Sequence, residues 1–550
     1  MADYFDLGSY QRPVTTTSDQ ARLWFTRGLV WTYGFNHEEA VACFERAIAA
    51  DPQCALAHWG LAFALGPNYN KPWDAFDPED LAGSVARAHA ATRAAAAAAG
   101  QTAASATEKA LITALAARYP RATPPDPGAD GQAWSTAYAD AMRQAYREHP
   151  TDLDVAVLFA DALMNLAPWD LWTPGGEPTR PATIEARAIL EAALAAPGGS
   201  EHPGVLHMYV HLMEQSPRPE DALRAGDLLR DLVPDAGHLR HMPTHLDVLC
   251  GDYRSVVSSN TAAIEADERY RAERGAMNFY TLYRAHDYHF KIYGAMFAGQ
   301  SRAALAAADQ LAAAIPEDLL RVQVPPMADW LEAFVPMKLH VLIRFGRWAQ
   351  ILDTPLPADT ELYCVTTAMT RYAKGVAAAA LGRLDEASAQ HREFEQAVPR
   401  VPPTRTLFNN SCQDILQVAA AMLDGELAYR AGDHDIAFGH LRRAVELDDG
   451  LPYDEPWGWM QPARHALGAL LLEQGRVAEA EAVYRADLGL DGTLARACQH
   501  PGNVWSLHGY HECLTRLGKP EQAGIVRQQL SIASAYADVP IRSSCYCRLS

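Results

Sequence analysis

The spacing of small and large residues between Ala21 and Pro52 constrains the fold of this chain most. Small residues let two helices approach, large ones fill the space between them, and the proline ends the second helix. Apolar residues continue at helical spacing from about residue 20 to about residue 535, so we expect an almost entirely α-helical chain. The residues of this first pattern are Trp24, Gly28, Trp31, Ala40, Phe44, Ala47 and Pro52.

This pattern resembles the tetratricopeptide repeat, a helix-turn-helix unit of about 34 residues. The resemblance implies an all-α, right-handed superhelical solenoid of helical hairpins. With 550 residues the chain exceeds what one hydrophobic core usually holds, which fits an array that grows by stacking. Weaker matches to the same frame are Ala222 and Pro234; Gly251 and Ala263; Gly299, Ala304 and Pro316; Gly375, Ala387 and Pro399; Gly425, Ala437 and Ala444; Gly468, Ala480 and Tyr484; and a looser unit from Trp505.

We divide the array into three domains and expect two interruptions between its hairpins. The proline-rich stretch from Pro120 to Gly131 predicts an exposed linker. The loop at 165–181 carries Trp169 and Trp172, which a solvated loop would not expose, so we expect it to fold over the groove as a lid or filler. The domains are N-terminal hairpins at 1–120, central histidine-bearing repeats with the insertion loop at 121–350, and C-terminal hairpins with a tail at 351–550.

Charge and composition exclude several classes of function. The formal net charge is -20, and no basic stripe with interleaved aromatics occurs, so nucleic acid is not an expected partner. The acidic N-terminus and the absence of a run of about 18 apolar residues predict a soluble, cytoplasmic protein with no membrane partner. Nine cysteines without disulfide spacing fit a reducing compartment. Cys545 and Cys547 form a C-x-C pair that can bind soft metal, form a disulfide or be incidental in a frayed tail.

Histidines form the strongest functional signal. His207 and His211 are four residues apart, as are His241 and His245, and the two pairs are separated by one repeat length. A spacing of four places both rings of a pair on one face of a helix, close enough to share an ion. His238 adds a third ring one turn before His241. The sequence therefore predicts a metal site.

The family resemblance also implies which side chains face the groove. In tetratricopeptide proteins the first helix of each hairpin lines the concave surface, with ligand contacts at its second, fifth, ninth and twelfth positions. The residues at such positions here are His207, His211 and Glu214; His238, His241 and His245; His286 and His289; and His465. The segments HMYVHLMEQSPRPEDAL and AGHLRHMPTH further resemble a group of large bacterial and fungal tetratricopeptide proteins, and that likeness implies a fold without implying a reaction.

Three functions remain open from the sequence. Neutral imidazole suits zinc, copper and iron, and a histidine-rich site with few thiolates favours copper, as one ion or a dinuclear centre. The first hypothesis is a metal-dependent oxidoreductase acting on a small molecule in the groove, with Glu214 and Tyr283 as catalytic groups. The second is a zinc hydrolase with Glu214 as general base. The third is a scaffold that binds a protein or peptide, in which single histidines such as His465 are satisfied core residues.

Overall fold

The computed structural model describes residues 4–126 and 129–549, so Pro127 and Gly128 of the expected linker lie outside the described residues. The described chain is helical apart from one pair of two-residue strands and two isolated β-bridges, which confirms the all-α prediction. None of its helices is both long and apolar enough to cross a membrane. It divides into two compact units: unit 1 is Met1–Leu246 with Ala262–Tyr280, and unit 2 is Asp247–Thr261 with Thr281–Ser550. The three-domain division stays a prediction.

Unit 1 is built of consecutive antiparallel helices. Gly28 shows why its first hairpin is tight, because a Cβ there would lie 2.8 Å from the Phe44 ring. Phe44 thus fills the gap that the repeat spacing predicted. The helices are α1 (Asp19–Tyr33), α2 (His37–Ala50), α3 (Ala55–Ala64), α4 (Pro78–Gln101), α5 (Ala106–Ala116), α6 (Ala129–Glu148), α7 (Leu153–Met164), α8 (Pro181–Ala195), α9 (Pro203–Glu214), α10 (Leu223–Leu229) and α11 (Gly237–His241). The boundary between the units falls within α12 (Pro243–Cys250) and α13 (Tyr253–Arg274).

Unit 2 continues the hairpins and holds the only strands of the described chain, β1 (Thr406–Leu407) and β2 (Asn410–Ser411), which pair antiparallel. Its helices are α14 (Thr281–Phe297), α15 (Ser301–Ala314), α16 (Glu317–Leu320), α17 (Met327–Leu331), α18 (Met337–Arg344), α19 (Trp348–Asp353), α20 (Cys364–Ala380), α21 (Leu384–Ala397), α22 (Cys412–Ala431), α23 (His434–Asp449), α24 (Ala463–Glu473), α25 (Val477–Asp487), α26 (Val504–Arg516) and α27 (Pro520–Ser534).

Two local features differ from the expectations or refine them. The helix expected to carry His241 and His245 together is interrupted, because α11 ends at His241 and α12 begins at Pro243, which lacks the N–H that a continuous helix needs. The C-x-C pair is a disulfide between Cys545 and Cys547, and the other seven cysteines are free.

Candidate metal centre

Five histidines and one glutamate meet in the interior of unit 1. Each side chain belongs to a residue that is at most 1% exposed, so water does not reach the cluster directly. Helix α9 supplies three of them, α11 two and α12 one. We call this set the histidine cluster: His207, His211, Glu214, His238, His241 and His245.

The Nδ1 atoms of three rings face groups that accept a hydrogen bond. His207 Nδ1 lies 2.6 Å from the carbonyl oxygen of Tyr33. His211 Nδ1 lies 3.0 Å from Oε1 of Glu214, and His245 Nδ1 lies 2.8 Å from Oε2 of the same carboxylate. A carbonyl or carboxylate oxygen only accepts, so each of these rings carries its proton on Nδ1 and leaves Nε2 as a bare lone pair.

The Nε2 atoms then converge on one another. His207 Nε2 lies 3.2 Å from His238 Nε2, and His241 Nε2 lies 2.7 Å from His245 Nε2. Two imidazole nitrogens bound to one tetrahedral zinc ion are separated by roughly 3.3 Å, given Zn–N bonds of about 2.0–2.1 Å. At each of these two short Nε2–Nε2 contacts, either the second ring carries a proton on its Nε2 and donates it to the first, or both rings bind one ion.

Two overlapping groups in this cluster have the spacing of metal ligands. One ligand atom from each of His207, His211 and His238 lies within 4.8 Å of the others, and the same holds for His211, Glu214 and His245. His211 belongs to both groups, and its Nε2 has no hydrogen-bond partner among the described residues. A carboxylate that orients two imidazoles through Nδ1 is the usual support of a histidine-bound metal.

Burial keeps these rings neutral, which metal binding requires. The pKa values of His207, His211 and His238 lie well below the ordinary histidine value, first because burial disfavours the charged form and then because neighbouring rings would repel it. Neutral imidazole is the form that coordinates a metal. At neutral pH these three rings are therefore donors that need not first lose a proton.

Aromatic side chains close the cluster. The Phe35 ring stacks on His211 and His238, with centroids 5.5 and 5.6 Å apart. Trp169 meets His211 edge-on at 6.2 Å, and Trp172 donates from Nε1 to the Leu212 carbonyl at 2.7 Å. The loop at 165–181 thus folds onto α9, as its tryptophans indicated.

The backbone of two of these aromatics is strained. Phe35 has φ 55° and Trp169 has φ 60°, in the left-handed region that side-chain-bearing residues avoid. Such strain persists where surrounding contacts determine it and is frequent at functional sites. Here it coincides with two of the aromatic rings that pack against His211.

Four further predicted site residues lie in unit 2. Tyr283, His286 and His289 are buried on α14. The His286 ring packs edge-on against Phe290 and Phe408. His289 Nε2 lies 2.8 Å from Met460 Sδ, and burial lowers the pKa of His289 to about 3. For these three residues the metal or catalytic assignment stays a prediction.

His465 on α24 differs, because both of its ring nitrogens already have partners. Nδ1 accepts from Nη1 of Arg344 at 2.9 Å, and Nε2 donates to Oδ2 of Asp487 at 3.1 Å. Arginine has no acceptor, so this ring must carry its proton on Nε2. Burial lowers its pKa to about 4 although Asp487 acts to raise it. This geometry favours the structural interpretation of His465.

Sequence reasoning missed several residues that surround the histidine cluster and His465. The acceptor for His207 is the main-chain carbonyl of Tyr33, which no side-chain pattern signals. Gly204 allows α9 to pack closely against the end of α1, since a Cβ at this position would lie 2.6 Å from the Tyr33 ring. Phe35 follows α1 without any motif. The only sequence signal for Asp487 is that it ends α25, the helix that follows the helix of His465.

The comparisons with known proteins concern the fold. Residues 21–54 match the family model of the tetratricopeptide repeat, and no curated protein matches the chain. Similar solved structures include a human IFIT1 dimer with m7Gppp-AAAA, at 12% identity over 88% of this chain and 90% of that chain, with a TM-score of 0.32. Yeast Tom70 is similar at 11% identity, 94% and 97% coverage and a TM-score of 0.30. The APC/C hetero-tetramer Cut9-Hcn1 is similar at 13% identity, 94% coverage of both chains and a TM-score of 0.26.

The matched repeat coincides with the hairpin of α1 and α2, and antiparallel helix pairs follow it through both units. The chain therefore contains a tetratricopeptide repeat at residues 21–54, within an all-α array of helical hairpins.

Proposed function

We propose that this protein is a non-enzymatic scaffold that binds a protein partner, and that its histidine cluster holds a structural transition-metal ion. The observation that carries the proposal is the closed donor set of unit 1. Structural metal sites are enclosed by protein ligands, whereas catalytic sites keep a position open to water and substrate. Every residue of the histidine cluster is at most 1% exposed.

The donor chemistry supports a metal of the zinc, copper or iron group. Imidazole suits all three, and the described cluster contains no thiolate that would select a softer ion. Zinc fits a purely structural role best, because it has no redox chemistry of its own. Hydrogen bonds at Nδ1 fix the tautomers of His207, His211 and His245, and burial keeps His207, His211 and His238 neutral, as a bound ion needs.

Glu214 supports a structural role more than the catalytic one predicted for it. Its two carboxylate oxygens each accept from an imidazole, of His211 and of His245. A general base needs a free oxygen within reach of the water that it activates. We therefore assign Glu214 the task of orienting the two rings, in place of the general-base role that the sequence suggested.

The test is elemental mass spectrometry on protein purified without a histidine tag. We expect stoichiometric metal in the wild type and its loss in the double variant His211→Ala plus His245→Ala. The matched control is His465→Gln, which also removes a buried imidazole but should keep the full metal content. Metal-free wild type after reconstitution with zinc would overturn the metal proposal, and metal-dependent turnover of a small molecule would overturn the non-enzymatic one.

A further inference from the structure

The C-terminal segment of the chain, residues 538–549, packs against unit 2 in an irregular conformation with bends and one turn, and its residues Ser543, Ser544 and Cys547 are buried there. It begins at the N-terminus of α15, where the Asp538 carboxylate accepts from the backbone N–H groups of Ser301 at 2.8 Å and Arg302 at 2.9 Å. A carboxylate at that place satisfies donors that a helix leaves open. We call residues 538–549 the tail.

Two arginines, the buried Arg344 and the half-buried Arg430, hold main-chain groups of the tail. Nη2 of Arg344 donates to the Ser544 carbonyl, and Nη2 of Arg430 donates to the Cys547 carbonyl. The backbone N–H of Leu549 donates to Oε1 of Glu473 at 2.9 Å. Because these contacts are made to main-chain atoms of the tail, they would accept a segment of many different sequences.

Side chains of the tail add specific contacts. Ser544 Oγ donates to the His465 carbonyl at 2.7 Å and lies 2.5 Å from the Tyr484 hydroxyl. Arg548 forms a two-pronged pair with Glu512, at 2.7 and 3.0 Å. A paired guanidinium and carboxylate is specific as well as strong. The surface thus recognises a small hydroxyl residue followed four positions later by an arginine.

The surface beneath the tail is made by successive first helices of hairpins. Arg344 ends α18, Arg430 belongs to α22, Glu473 ends α24 and Glu512 lies on α26. The Cys545–Cys547 disulfide also lines a cavity of about 40 Å³, together with Tyr372 of α20 and Met422 of α22. Side chains of α18, α22, α24 and α26 therefore contact the tail, and α20 lines the cavity beside it.

We infer that the tail is a peptide bound in cis, which competes with a partner for this surface of unit 2. The partner is a protein that presents a segment without regular secondary structure that carries a serine or threonine and, four residues later, an arginine. The inference rests on the proposed scaffold function and supplies its regulation: the surface is closed until the partner segment displaces the tail.

The test uses the full chain and a fluorescein-labelled synthetic peptide with the sequence of residues 537–550. In the double variant Ser544→Ala plus Arg548→Ala the tail loses its specific contacts while the surface stays intact. We expect this variant to bind the labelled peptide at least about tenfold more tightly than the wild type, because loss of the charged Arg548–Glu512 hydrogen bonds alone weakens the competing tail by a factor of that order. The control peptide carries the same two alanines and should bind both proteins weakly.

A second form keeps the test independent of that variant. A protease site inserted at exposed Tyr536 allows the tail to be cut after the protein has folded, and circular dichroism checks that the helices remain. We expect the cut tail to exchange with the labelled peptide, and the uncut protein to exclude it. Equal binding to cut, uncut and variant proteins, or binding to none of them, would overturn the inference.

Metal analysis of the same samples separates the two proposals. After cutting at Tyr536, the variant without His211 and His245 should exchange the labelled peptide as the cut wild type does, because the tail contacts described above lie in unit 2. Normal metal content with no exchange would overturn only the tail inference. Exchange without metal in the wild type would overturn only the metal site.

Discussion

His211 in unit 1 and His465 in unit 2 are both fully buried histidines on helices, yet their hydrogen bonds fix opposite tautomers. Nδ1 of His211 faces the Glu214 carboxylate, so its Nε2 is a bare lone pair. Nδ1 of His465 accepts from Arg344, so its Nε2 carries the proton and donates to Asp487. The difference teaches that the partner of Nδ1, more than burial or spacing, distinguishes a candidate ligand from a structural histidine.

The largest expected effect is in unit 2, where it tests the structural role of His465 and its hydrogen-bond partners. Asp487→Asn removes the charge on which His465, His500, Asn503 and Ser506 converge. Because a buried charge network loses its centre, we expect a loss of about 3–5 kcal/mol in the stability of unit 2. Hydrogen exchange of the α24 amides measures it. Unchanged protection of α24 would contradict the structural role of this network.

In unit 1, the substitution Glu214→Gln tests whether this carboxylate orients the metal-binding rings. An amide offers one acceptor oxygen where the carboxylate offers two, so one of the two rings loses its orienting partner. We expect zinc affinity to fall by about 10- to 100-fold with the fold retained. Competition with a chromophoric chelator measures the affinity, and His465→Gln serves as the control that should leave it unchanged. Equal affinity in wild type and Glu214→Gln would remove Glu214 from the site.

A pH series tests the protonation of His465. Burial lowers its pKa to about 4, whereas the unfolded chain titrates near about 6.5. Between these values the unfolded state binds a proton that the folded state does not, so stability falls as the pH is lowered through this window and the slope ends below it. Hydrogen exchange of α24 from pH 7 to pH 4 should show this fall. His465→Gln should make it shallower by up to about one proton; an identical slope in the variant would mean that His465 is not held neutral.

The smallest expected effect concerns the loop at 165–181. Trp169 touches His211 at the edge of its ring and is only partly buried, so Trp169→Ala removes shielding without removing a ligand. We expect a chelator to withdraw the metal several-fold faster, while the affinity changes by less than about tenfold. Stopped-flow chelation measures the rate. A variant as slow as the wild type would show that the loop does not control access.

The fold was predictable to a large extent because helical repeats depend on local spacing. Gly28 and Phe44 identified the first hairpin, and residues 21–54 match the family model. The grouping of His207, His211, His238, His241 and His245 within unit 1 was predictable for the same reason. Their tautomers were not, since they depend on the Tyr33 carbonyl and on Glu214 bridging two helices. The break at Pro243 follows from the proline itself and was available in the sequence, whereas the docked tail arises from tertiary contacts that no single period encodes.

Nitrogen NMR of protein carrying ¹⁵N-labelled histidine, recorded before and after zinc is added, tests the central comparison most directly. The account predicts that His207, His211 and His245 carry their proton on Nδ1 and that zinc shifts their Nε2 resonances. It predicts that His465 carries its proton on Nε2 and does not respond. A cluster protonated on Nε2 at His211 and His245, or one whose resonances zinc leaves unmoved, would contradict the metal centre.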